Sequence, residues 1–467
     1  MADRYWVGGS GTWDATSTTN WAATSGGAAG ASAPTAADNV FFDANSNVGT
    51  GSFTVTIGSG AVCNDFTASG LGGAMTLSIV AVTLTVSGSW TNPATNFAVA
   101  GSSATIDFNA TTTGKTITTN SVTINADIRL NGVGGAWTLG SALNMSSTST
   151  LTLDRGTFDT STSNYSVTAG SFSSANANTR TINLNGSTIT VSTSLAPWNI
   201  ATSTNATLNA GSSTIVCSGI GAAFSGGGLT YYNLSFTSTT ATTSAISITG
   251  TNTFNNLAFS TISSTGINEV TISGDQIIQG TLTINGSNGI RRMFVRSSVT
   301  GTSRLLICAA ISAMTDVDFR DITIAGAAGT LSGTRLGDCG GNSNITFPSA
   351  KTVYWNFATG GGWGATVWAT SSGGTAASTN FPLPQDTAII ENTGLNASAT
   401  VTINANWNIG SLDTSTRTNA MTLASSTFTP TFYGDFTYGS GVTPVLAASR
   451  SVWQLFWRMI LLGMCIS

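Results

Sequence analysis

Histidine is absent from this 467-residue chain. That removes the commonest general base, the commonest metal ligand and every His-based triad at once. Charge is scarce too. Asp, Glu, Lys and Arg make up 7% of the residues, against roughly 25% in ordinary domains. Lysine stands only at Lys115 and Lys351, and glutamate only at Glu269 and Glu391. Both are good helix formers, and Thr, Ser and Asn stand where they would be, so exposed helices are not expected. The five cysteines (Cys63, Cys217, Cys308, Cys339, Cys465) are odd in number and contain no CxxC pair. They spell neither a disulfide framework nor a zinc site, and buried free thiols are the expectation. No EF-hand or RTX-type motif is present, so no metal is expected, and no cofactor either. No run reaches the roughly 20 apolar residues of a membrane-spanning helix. The opening Met1-Ala2-Asp3-Arg4-Tyr5-Trp6 has no apolar core of a Sec-type signal.

What the chain does have is strand. With 41% hydrophobic residues and a net charge of −4, it departs from the low hydrophobicity and high charge of disordered chains and should fold. Short alternating segments recur throughout, among them Thr105–Phe108, Leu151–Asp154, Thr181–Leu184, Ile246–Thr249 and Leu282–Asn285. Alternation points one face inward and leaves Thr, Ser or Asn on the other. Tyr232-Asn233-Leu234-Ser235-Phe236 is echoed by Asn255-Asn256-Leu257-Ala258-Phe259, and Leu184-Asn185 by Leu208-Asn209. A recurrence of about two dozen residues is what one coil of a parallel β-helix gives, each coil stacked about 4.8 Å from the next. The expected fold is all-β, a parallel β-helix or β-solenoid rod. An antiparallel sandwich array shares the alternation and stays open as an alternative.

A duplicated module flanks this stretch. Tyr5-Trp6, Trp13, Trp21, Ser25-Gly26-Gly27, Pro34 and Asp38 recur as Tyr354-Trp355, Trp363, Trp368, Ser372-Gly373-Gly374, Pro382 and Asp386. Further on, Val55, Ile57, Phe66, Met75, Leu77, Gly88 and Trp90 fall at one constant offset on Val401, Ile403, Leu412, Met421, Leu423, Gly434 and Phe436. A constant offset marks a true repeat. The expected organisation is a Trp/Gly-rich β module over 1–92, a solenoid over 93–350, a second module over 351–450 and an atypical apolar tail over 451–467. That tail lacks Thr. It reads as an oligomerisation helix, a packed cap or out-of-frame translation.

Chemistry has few places to reside. The densest charge lies between Glu269 and Arg335, and its best carboxylate cluster is Asp316-Val317-Asp318-Phe319-Arg320-Asp321. On a strand, Asp316, Asp318 and Arg320 share one face and Val317 and Phe319 the other. Two carboxylates on adjacent coils suit the acid and base of glycoside hydrolysis. The same pattern also describes a solvated polar face with an arginine relieving acid repulsion, and that is the preferred reading. Arg291, Arg292 and Arg296 read either as an acidic-glycan contact or as an ordinary exposed strand. Trp6, Trp13 and Trp21, set among glycines, offer either sugar-stacking faces or buried packing area; their recurrence in both modules favours packing. Asp154 and Asp159, flanking an Arg-Gly turn, have the carboxylates but not the motif of a calcium site. The acidic balance and the lack of a basic patch argue against nucleic acid.

The run Arg4-Tyr5-Trp6-Val7-Gly8-Gly9-Ser10-Gly11-Thr12-Trp13, followed by Asn20-Trp21, Pro34 and Asp38–Asp43, resembles the start of structural proteins of tailed bacteriophages, of the tail-fibre and tailspike kind. Gly337–Asn344 before Lys351 is similar to the same group, and Trp-rich openings also occur in bacterial β-solenoid surface proteins. The resemblance covers the two modules well and the region between them in style only. It implies a virion structural or host-attachment role, assembly in the host cytoplasm with exposure outside, other virion proteins as partners, contact with host surface polysaccharide, and a homo-oligomer such as a trimer. It carries over no catalytic residue. A polysaccharide-degrading spike using the Asp316 cluster and a bacterial surface adhesin are the alternatives.

Overall fold

The computed structural model describes residues 2–447 except 48, 50 and 243. The expected apolar tail, with Cys465, lies outside the described residues. The chain is nearly all β, with 1% helix, and its parallel sheets stack as a β-solenoid of about 17 turns. The only helical turn among the described residues is Ser378–Asn380. Two compact units divide near residue 236, and each is described in turn.

In the first unit the coils after the opening one each visit three sheets. One coil runs Phe66–Ala68, Met75–Val80 and Thr83–Val86, and the next begins at Trp90–Thr91. Stacked partners pair in parallel: Phe66 with Trp90, Leu77 with Val99, Leu84 with Ile106. Alternation does its work here. Leu151 and Leu153 are buried while Thr150 and Thr152 face outward. Coil length varies between corners: Thr150 meets Ser171 at a separation of 21, and Asn92 meets Thr119 at 27. This variation corrects one sequence alignment. Leu208 stacks on Ile182 and Asn209 on Asn183, not on Leu184 and Asn185.

The Trp/Gly module is how this solenoid begins. Asp3–Trp6 pairs antiparallel with Trp21–Ala22 and parallel with Asn39–Phe42. Trp6 and Trp13 both meet Trp21 edge to face, at 5.0 and 5.4 Å. Offset aromatic contacts of this kind close the first coil with large buried area. Asp38 ties the start down by accepting from the Ala2 and Thr35 backbone N–H groups. The ladder then passes residue 92 unbroken, since Trp90 pairs with Phe66 on one side and Ile117 on the other. The first copy is therefore made of solenoid coils.

The second unit continues the same pattern. Gly266–Ile272, Arg291–Ser297, Val317–Arg320 and Gly337–Asp338 stack in parallel on one face. Gln276–Thr283, Arg304–Ile311 and Ile322–Ala325 stack on another. Residues 352–445 then repeat the opening geometry. Trp355 pairs antiparallel with Trp368, and Thr352–Tyr354 parallel with Thr387–Ile389. Trp355 and Trp363 meet Trp368 at 5.4 and 4.7 Å. Asp386 repeats the role of Asp38, accepting from the Lys351 and Leu383 backbone N–H groups. Val401 stacks on Leu423 as Val55 does on Leu77. Pro444 lies in the last described strand of its sheet, a position where the missing N–H is tolerated.

Candidate functional site

The Asp316 cluster sits where the two parts of the second unit meet. Val317 and Phe319 point into the solenoid and are fully buried, and Asp318 and Arg320 point outward, as strand alternation requires. The outward face is not solvated, however. Residues 352–445 lie against it, so Ile267, Phe294 and Cys339 join one apolar cluster with Trp355, Trp407 and Leu412. Arg292-Met293-Phe294-Val295 is buried at every position, the mark of a strand covered on both faces.

Beneath this cover the charges satisfy one another. Arg292 donates from Nε and Nη2 to Asp318 Oδ1 at 3.0 and 2.5 Å, and from Nη1 to Asp316 Oδ1 at 3.3 Å. Arg335 grips both oxygens of Asp316 at 2.7 and 2.6 Å. That bond is the chief reason its guanidinium pKa is raised above the ordinary value. Asn408 donates to the remaining oxygen of Asp318 at 3.0 Å. Asp316 is 0% exposed and Asp318 1%. Two carboxylates and two guanidiniums make a neutral set, which is how buried charge is tolerated. Gly337 is required at its place: a Cβ there would come within 2.1 Å of Asp318 Oδ1.

The expectation of a solvated polar face is therefore corrected: packing of the second module desolvates it. Of the catalytic candidates, Asp316 and Asp318 come together in a closed network with Arg292 and Arg335, and Arg320 and Asp321 pair separately. Asp316 and Asp318 have their oxygens occupied by arginine and amide donors. Asp321 accepts from the Gly301 N–H at 3.0 Å and lies 3.5 Å from Arg320 Nε. Arg320 sits 5.8 Å above the Phe294 ring. All three carboxylates, Asp316, Asp318 and Asp321, are buried.

Of the glycan-contact candidates, the tryptophans take the packing role that their recurrence favours, and Arg292 is buried. Trp6, Trp13 and Trp21 are each 0% exposed, so no ring face is open to a sugar. Arg292 is consumed in the network, Arg296 donates from Nε to Glu269 at 2.6 Å, and Arg291 is half-buried. Asp154 pairs with Arg129 at 2.5 Å, and Asp159 accepts from Asn183 and Asn185. Among the described residues no group of His, Cys, Asp or Glu is placed to hold a metal. Cys63, Cys217, Cys308 and Cys339 are free and buried. Burial pushes the Cys308 thiol up to about 12.

Some buried polar residues carried no sequence signal. Arg180 donates to the backbone oxygens of Ser174, Asn178, Thr202 and Thr204, and Arg417 to those of Glu391, Leu395, Asn396 and Ala420. Each caged cation holds a loop by its carbonyls, and burial lowers both pKa values from the ordinary range. Two surface hollows lie at corners of the first unit. One, of about 510 Å³, is lined by Ser102, Ser103, Asn125, Asp127 and Ser149. It holds a single carboxylate and no base to partner it. No helix among the described residues is long and apolar enough to cross a membrane. The chain matches no family model, and no curated protein or solved structure proved similar to it.

Proposed function

We propose that this chain is a non-enzymatic structural or adhesive protein of a phage virion: a tail fibre, spike or surface appendage that contacts the host surface. The observation that carries the reading is the fate of the charge cluster. The one dense set of acids and arginines is spent on internal packing, leaving a hydrogen-bonded scaffold of stacked coils as the chain's main product. In such quasi-one-dimensional folds each repeat rests on its neighbours, a construction suited to presenting a surface. The Trp-rich opening, which resembles that of phage structural proteins, is what points to a virion. On this reading the partners are other virion proteins, further copies of the chain and host surface polysaccharide. Polysaccharide degradation is the weaker reading, because an acid and base for glycoside hydrolysis must reach the glycosidic bond and its water. Antibody labelling of purified particles tests the proposal. Label at a fixed place on the virion is the expected result; label on the bacterial surface and none on particles overturns it in favour of an adhesin.

A further inference from the structure

The second module is attached differently from the coils that precede it. All its strands pair among themselves, in three sheets of their own, and among the described residues none joins a solenoid sheet. The connection, residues 347–350, contains no strand and is exposed from Pro348 to Ala350. The module carries its own aromatic core of Trp355, Trp363, Trp368 and Trp407. What holds it down is a side-chain interface. Asn408 reaches Asp318, and Gln385 donates to the Leu336 oxygen at 3.0 Å while accepting from the Asp338 N–H at 2.9 Å. Tyr433 lies beside Cys339 and Arg320.

Coils joined by a backbone ladder part only by breaking that ladder. A body with its own core, docked by side chains on an irregular linker, can part by local opening. Apolar groups of similar volume often hold such a contact as well as a buried charge network does.

We propose that residues 352–445 form a releasable cover over the outer face of the Gly266–Asp338 coils, latched by Asp318 and Asn408. Lifting it uncovers Ile267, Arg292, Phe294, Asp318 and Arg320, a mixed apolar and charged face in a chain otherwise poor in charge. The inference is independent of where the protein works.

Cys339 reports the opening directly. It lies under the cover, where burial holds its thiol well above the ordinary value. Cys63, Cys217 and Cys308 are fully buried in the solenoid coils. Labelling of the full-length chain with a thiol reagent, read cysteine by cysteine by peptide mass, separates the two movements. Cys339 is expected to label well ahead of the other three. Asn408→Ala is expected to speed Cys339 by about tenfold or more, the effect of losing a hydrogen bond to a charged group, and to leave Cys308 unchanged. Should Asn408→Ala fail to fold, Tyr433→Phe, which deletes a single hydroxyl, carries the same test. Labelling of Cys63, Cys217, Cys308 and Cys339 at one rate, or a Cys339 rate unmoved by the substitution, overturns the proposal.

Discussion

Asp318 and Asn408 stand 90 positions apart in the chain and meet at 3.0 Å in a site closed to water. One lies on the outward face of a solenoid strand, the other in the repeated module. Their contact turns the densest charge of the sequence into an interface.

Breaking that interface on one side only should be costly. Asp318→Ala leaves the Arg292 guanidinium buried with fewer partners, and such losses run to about 3–5 kcal/mol. Replacing Arg292 and Asp318 together by Met and Leu should cost much less, because no unpaired charge remains. Urea denaturation followed by tryptophan fluorescence distinguishes the two, the single variant being the weaker.

The two modules should respond alike to loss of the same ring. Trp21 and Trp368 are both fully buried and both receive two neighbouring indoles. Trp→Ala at either position is expected to destabilise by about 3–5 kcal/mol. Trp13→Phe should lower stability and leave any binding to host cells unchanged, which a cell-binding assay reads.

Arg180 should not tolerate lysine. Its planar fork serves four carbonyls and the Ser174 hydroxyl, and an ammonium has three donors with no fork geometry. Arg180→Lys is expected to cost roughly 1–3 kcal/mol from carbonyls left unpaired. Faster hydrogen exchange across residues 174–206 would locate the damage.

Acid should act on Asp38 and Asp107 with opposite sign. Burial alone would raise Asp38, but hydrogen bonds from Thr35 and Ala2 and the charge of Arg4 bring it below its ordinary value of 3.8. A lowered folded pKa gives stability that is present above the unfolded value and lost as pH falls through the folded one. Asp107 is raised, chiefly by burial, with Arg129 opposing and Asp154 adding. Its contribution is present below the unfolded value and lost as pH rises through the folded one. Asp38→Asn should therefore lose ground against the parent at neutral pH and converge with it in acid. Asp107→Asn should match the parent in acid and gain on it as pH rises. Denaturant midpoints across about pH 2–7 show either pattern.

The coil architecture was legible because alternation and the two-dozen-residue recurrence are local properties. The module repeat was legible because Trp6, Trp13 and Trp21 keep their company in Trp355, Trp363 and Trp368. Register was harder: corner lengths vary, so Leu208 paired with Leu184 on paper and stacks on Ile182 in the structure. The charge cluster was found but its setting was not. Strand alternation places Asp318 outward and is silent about what lands on it, and Asn408 reaches the site only through tertiary docking. The one hint was compositional, since Met293-Phe294-Val295 beside Arg292 leaves no polar alternation for a solvated face.

On the function proposed above, Asp316 and Asp318 serve packing and not catalysis. Incubating the purified protein with capsule or lipopolysaccharide from its host and assaying for released oligosaccharide tests it most directly. No release is expected. Release that Asp316→Asn or Asp318→Asn abolishes, at an unchanged denaturation midpoint, would contradict it.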